Sequence, residues 1–155
     1  MKYAALLYLF PLFLLTACNS LDIYEKQTTF PHHEWKGNEP QSYQFNITDT
    51  VSKYHIYVVL RHSDAYRYNN LWLNITTSAP NATPVTQQLE LLLANNKKGW
   101  LGTGIDDIFD HRIRITQQAV KLKKGTYRFV LQHTMREEPL QYLFGAGIRV
   151  EKSTL

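Results

Sequence analysis

The stretch Tyr54-His55-Ile56-Tyr57-Val58-Val59-Leu60-Arg61 decides the fold class. Tyr54, Ile56, Val58 and Leu60 recur at every second position, which is the period of a strand and not of a helix. Tyr57 and Val59 make the opposite face apolar as well, so this strand is read as central and covered on both sides. The same alternation recurs on either side of it. Upstream, Tyr43, Phe45 and Ile47 alternate with Gln44, Asn46 and Thr48. Downstream come Leu71, Leu73 and Ile75, then Leu89, Leu91 and Leu93, then Ile113 and Ile115 after His111. Val120 and Leu122, Tyr127, Phe129 and Leu131, and finally Ile148 and Val150 continue the series. Turn-forming clusters fall between these runs: Asn38-Glu39-Pro40, Ser78-Ala79-Pro80-Asn81, Asn95 to Gly99, Lys123-Lys124-Gly125 and Glu137-Glu138-Pro139. Roughly seven to nine short strands punctuated in this way predict an all-β chain folded as a single β-sandwich, jelly-roll-like, over residues 35–152. One segment interrupts the pattern. Gly102, Gly104 and the acids of Leu101–Asp110 read as a long loop or one helical turn.

The amino terminus obeys different rules. Lys2 precedes an unbroken apolar run from Ala4 to Leu15, which is too short for a permanent transmembrane helix and has the form of a secretory signal. It ends in Leu15-Thr16-Ala17-Cys18, the pattern of a lipoprotein signal cleaved before an acylated cysteine. The boundaries predicted are a signal peptide over 1–17, a lipidated tether over 18–34 and the sandwich thereafter. Cys18 is the one cysteine, so disulfides do not stabilise the fold. Cleavage takes away Lys2 and no acid, so 17 basic and 13 acidic side chains become 16 and 13, a charge of +3. That mild excess contains no Lys/Arg run longer than two, and nucleic acid is not an expected partner.

Candidate sites are few. Residues 63 to 70 should form a loop after the strand ending at Arg61-His62, with Tyr66 and Tyr68 projecting to one side and Arg67 and Asn69 to the other. Flat aromatic faces beside hydrogen-bonding groups suit recognition of a protein or a glycan. Tyr66, Tyr68, Trp100 and Arg61 are therefore the candidate binding residues, while Trp72 falls within a strand and is read as packing. Asp106, Asp107 and Asp110 could supply oxygens to calcium, but the spacing of a calcium loop is missing, and solvated turn acids are the plainer reading. His55, His62, His111 and His133 lack the short paired spacings of zinc ligands and are read as surface or strand-end residues. No metal or cofactor is expected, and no nucleophile elbow or catalytic residue is recognisable.

Taken together, several segments resemble one family. These are Tyr43-Gln44-Phe45-Asn46-Ile47-Thr48-Asp49, then Leu60-Arg61-His62 with Tyr66, Tyr68 and Asn70-Leu71-Trp72-Leu73. Gly99-Trp100-Leu101-Gly102-Thr103-Gly104, Asp107-Ile108, Met135-Arg136 through Pro139-Leu140, and Gly147 to Lys152 complete the likeness. Their order along the chain resembles the gliding-motility lipoprotein GldH family of the Bacteroidetes. The resemblance implies a non-enzymatic outer-membrane lipoprotein serving gliding machinery that overlaps with protein secretion, with envelope proteins as partners and no transferable catalytic residue. A carbohydrate- or peptidoglycan-binding module is the alternative. Asn19-Ser20-Leu21-Asp22-Ile23 holds a single acid, where export to the outer face would call for an acidic run, so the periplasmic face is expected.

Overall fold

Wherever apolar residues recur at every second position, the chain is extended. The computed structural model describes residues 23–153. The signal peptide expected over 1–17 and the lipidation expected at Cys18 lie outside the described residues. Eight longer strands carry the architecture: β1 Ile23–Thr29, β2 Gln41–Ile47, β3 Lys53–Ser63, β4 Asn70–Ser78, β5 Val85–Leu92, β6 Ile108–Arg114, β7 Gly125–His133 and β8 Leu143–Lys152. Among the described residues there is no α-helix, only a 3-10 turn at Pro31–His33.

The strands form two antiparallel sheets. The first has the order β1-β8-β3-β6, prolonged past β6 by Thr103–Ile105, and the second the order β2-β7-β4-β5. First pairs with eighth, second with seventh, third with sixth and fourth with fifth. That nested pairing, divided between two sheets, is the jelly roll. The expected β-sandwich is the fold.

Alternation fills the space between the sheets. Tyr43 and Phe45 from β2, Ile56, Val58 and Leu60 from β3, Leu71 and Leu73 from β4, Phe129 and Leu131 from β7, and Ile148 from β8 are all buried. Phe45 stacks on Tyr127 and Phe129 with centroids 5.6 and 5.8 Å apart. Each fully buried Leu contributes about 1.5–3 kcal/mol through lost contact with water, which is the main force holding sheet to sheet. β8 passes so close between its neighbours at Gly147 that a Cβ there would collide with the Lys26 carbonyl and Val59. Glycine is required at that point.

Three expectations need correction. Residues 23–34 are not a tether. β1 pairs with β8 from Ile23↔Glu151 to Thr29↔Gly145, and Glu34–Trp35 pairs with Leu140–Gln141. As an edge strand β1 sets Tyr24 against Phe45 and Thr28 beneath Tyr43, whose hydroxyl donates to the Ala146 carbonyl and accepts from Thr28; that is too little apolar content to show a period. Four residues, Asn19 to Asp22, lie between Cys18 and the first described strand residue, Ile23. Leu101–Asp110 is neither loop nor helical turn but contains a hairpin, with Ile105 opposite Ile108 across Asp106-Asp107. Asp106 takes the left-handed φ (53°) that such two-residue turns require and that aspartate tolerates. Finally, β3 is central in its sheet, but the cover over its outer face is partial: Val59 is buried and Tyr57 half-buried, while Arg61 is exposed.

Candidate interaction site

The β3–β6 pair presents two chemically opposite sides. Register places His62 beside Phe109 and Leu60 beside His111 facing inward, while Arg61 opposes Asp110 facing outward.

On the inner side, His62 and His111 are buried and their Nε2 atoms are 2.9 Å apart. The Nδ1 of His62 lies 2.8 Å from the carbonyl oxygen of Ser63, which can only accept, so Nδ1 carries the proton. In a neutral His62 ring Nε2 is then the acceptor, and His111 donates to it through its own Nε2–H. Trp100 meets His62 edge-on at 4.4 Å, and Phe109 and Tyr66 close the cluster at 5.7 and 5.3 Å. Burial lowers the pKa of both histidines; His111, further discouraged by the charge its neighbour would carry, falls from 6.5 to about 4. The pair is neutral at physiological pH. Its place could have been read from the sequence, because extending the period of Tyr54, Ile56, Val58 and Leu60 by one step reaches His62. His133 is also buried, with Nε2 3.0 Å from the Trp35 carbonyl. The surface reading therefore fails for His62, His111 and His133: each continues an inward-facing row and meets a polar partner inside.

Three of the four candidate binding residues meet in this cluster, though not as an exposed platform. The loop over 64–69 exists as expected between β3 and β4. Tyr66, however, is 4 % exposed; its hydroxyl donates to the Asn70 carbonyl at 3.0 Å, and burial raises its pKa. It belongs to the core, which corrects its reading as an exposed recognition residue. Tyr68 is half-buried, packs edge-on against Tyr66 at 5.7 Å and hydrogen-bonds Glu137. Trp100 is half-buried too, with its indole N–H donated to Asp64 at 2.7 Å. Trp72 stands outward at the surface of the second sheet, 37 % exposed, with the Met135 sulfur 3.3 Å from its backbone nitrogen.

Arg61 lies across the sheet from the aromatic cluster. Its guanidinium grips Asp110 with two contacts of 2.9 Å in a solvent-facing pair. Around that pair opens a groove of about 840 Å³, running past Glu25, Gln27, Arg112, Ile113 and Arg114 to Leu92, Leu101 and Thr103. Sequence reasoning missed this groove, because it joins strands far apart in the chain. Asp106 and Asp107 sit in the hairpin turn while Asp110 is held by Arg61, and among the described residues no three His, Cys, Asp or Glu side chains converge as a metal would require.

Fold and site define a class: a jelly-roll sandwich with a charged open groove that runs from the outer side of the first sheet to the end of β5, and a neutral histidine pair beneath it. A family model described as GldH lipoprotein matches residues 22–150, and the chain belongs to that family. It is 22 % identical to the gliding motility lipoprotein GldH homolog of Christiangramia forsetii, covering 97 % of this chain and 96 % of that one. It is 25 % identical to the gliding motility lipoprotein GldH of Flavobacterium johnsoniae, covering 90 % of each. Among solved structures, the VP2 subviral particle of infectious bursal disease virus is similar at a TM-score of 0.34 and 15 % identity, over 96 % of this chain and 38 % of that chain. So low a score carries no argument.

Proposed function

We propose that the protein is a non-enzymatic assembly or stability factor for the gliding-motility machinery and the protein-secretion apparatus linked to it. It is held by the lipid on Cys18 at the periplasmic face of the outer membrane. The observation that carries the reading is the composition of the groove. Its lining mixes arginines, carboxylates and aliphatic side chains and includes no Trp, Tyr or Phe. Sugar rings are bound largely by stacking on aromatic faces, whereas protein partners are met by apolar and charged groups in combination. A lipid anchor close to β1 also suits a component that stays at the membrane and holds other proteins there.

The Cys18→Ser variant tests the anchor: it should leave the membrane fraction and lose lipid label, and retention of both would refute the anchor. Pull-down of the lipidated protein from native membranes should recover motility or secretion components; recovery of glycan alone would contradict the role. The glycan-binding alternative draws on the opposite sheet, where Trp72 is exposed in line with Glu90 and next to a row of Asn74, Gln88 and Gln132. Saturable binding of peptidoglycan fragments that Trp72→Ala abolishes would favour it.

A further inference from the structure

The edge of β6 is half used. Thr103–Ile105 pairs with Ile108–Asp110 and no further, while β3 pairs with all of β6 on its other side. In an antiparallel pair, backbone groups turn alternately toward and away from the partner strand. The Ile115 N–H donates to the Ile56 carbonyl at 2.9 Å, continuing the β3–β6 register. Ile113 and His111 therefore turn their backbone groups toward β3, and Arg112 and Arg114 turn theirs outward, into the groove. Among the described residues no strand pairs with that outward edge beyond Asp110.

The charges point the same way. Arg112 is 64 % exposed and only 3.8 Å from Glu25, whose carboxylate is already held by Arg149 at 2.6 Å. Arg114 is exposed, and no ion pair to it is found among the described residues. The two arginines share a face of β6, about 7 Å apart along the strand. Leu92 and Leu101, 50 % and 42 % exposed, stand at the groove's other wall. β5 is also an edge strand, but its one charge is Glu90, already bonded to Asn70 at 2.6 Å.

We propose that the groove takes an extended acidic segment of a partner protein, which adds as a strand along the Arg112–Arg114 edge of β6. Carboxylates at alternate positions of the segment pair with Arg112 and Arg114, and the aliphatic residues between them cover Leu92 and Leu101. Backbone pairing supplies affinity and the arginines select the sequence, as in other cases of strand addition. The inference rests on the assembly-factor reading and names the contact through which it works.

The test uses the purified domain and a fluorescein-labelled peptide alternating glutamate with valine, followed by anisotropy. Saturable binding that weakens with added salt is expected. Three comparisons each predict a loss of about tenfold or more: the same peptide N-methylated at alternate backbone nitrogens, the same peptide with lysine for glutamate, and the R112E/R114E protein. The N-methylated arm leaves the protein untouched, so loss there cannot come from misfolding. Unfolding of the double variant is excluded by its melting curve, and Arg114→Ala, expected to weaken binding by a smaller factor, is the fallback. Equal binding of the methylated peptide, equal binding by R112E/R114E, or no saturable binding at all would overturn the proposal. Such failure would leave the membrane pull-down intact as a separate test of the functional reading.

Discussion

Arg61 and His62 are neighbours in sequence, as are Asp110 and His111, yet each pair is split between two environments. The outward members form an ion pair in which both side chains are about half exposed, at 50 % and 49 %. The inward members form a hydrogen bond between neutral rings, shielded by Trp100, Phe109 and Tyr66. The same strands at the same register thus make one contact in water and one out of it. Water screens the first and makes it weak; the second is closed to water, so either ring left unpaired or charged is costly. The difference teaches where stability and recognition lie. The inner side holds the loop end of the sandwich together, while the outer side is free to meet a partner at little cost to folding.

The sharpest way to break this comparison is at Tyr66. If the inner cluster is core, Tyr66→Ala should cost about 3–5 kcal/mol in a denaturant melt, with the hydroxyl's bond to Asn70 lost as well. A cost near that of a surface change would return Tyr66 to the recognition loop.

The histidine pair comes next. A base whose pKa lies lower in the folded chain than in the unfolded one binds fewer protons when folded. Its contribution is therefore complete above about 6.5 and is lost as pH falls from there toward about 4, the value for His111. The loss is on the order of 2 kcal/mol. His111→Gln keeps an N–H donor toward His62 but does not titrate, so stability measured against pH should fall less steeply in that window. His62 and His133, both also lowered by burial, maintain a residual slope in the variant. An unchanged slope would show that the pair is not buried in solution.

The smallest effect is expected outside. Arg61→Ala should change stability by less than about 1 kcal/mol, because both partners of the ion pair are exposed. A larger loss in thermal unfolding would mean that the outer pair is structural after all.

Much of this architecture was legible in the sequence. β2, β4 and β7 announce themselves through alternation, since one face of each lies against a filled core, and β3 does so with Val59 buried on its second face as well. β1 does not, because an edge strand buries too little to need the pattern. The Thr103–Ile105 hairpin hid behind its glycines and acids: Asp106 and Asp107 make the turn, and Gly104 sits in the strand opposite Phe109. Tyr66, Tyr68 and Trp100 lie together, but residue type cannot tell an exposed aromatic from a buried one whose hydroxyl finds a carbonyl. The groove could not be read at all: Glu25, Leu92, Leu101 and Arg112 meet only when the jelly roll closes.

Site-specific photocrosslinking in the native membrane tests the central claim, that the outer side of β6 is the working surface, most directly. A photoreactive residue is placed at Thr103, on the groove, and in a second strain at Thr126, an exposed position of β7 on the opposite sheet. The account predicts a discrete protein adduct from position 103, belonging to the motility or secretion machinery, and none from position 126. An adduct from 126 with nothing at 103 would contradict it.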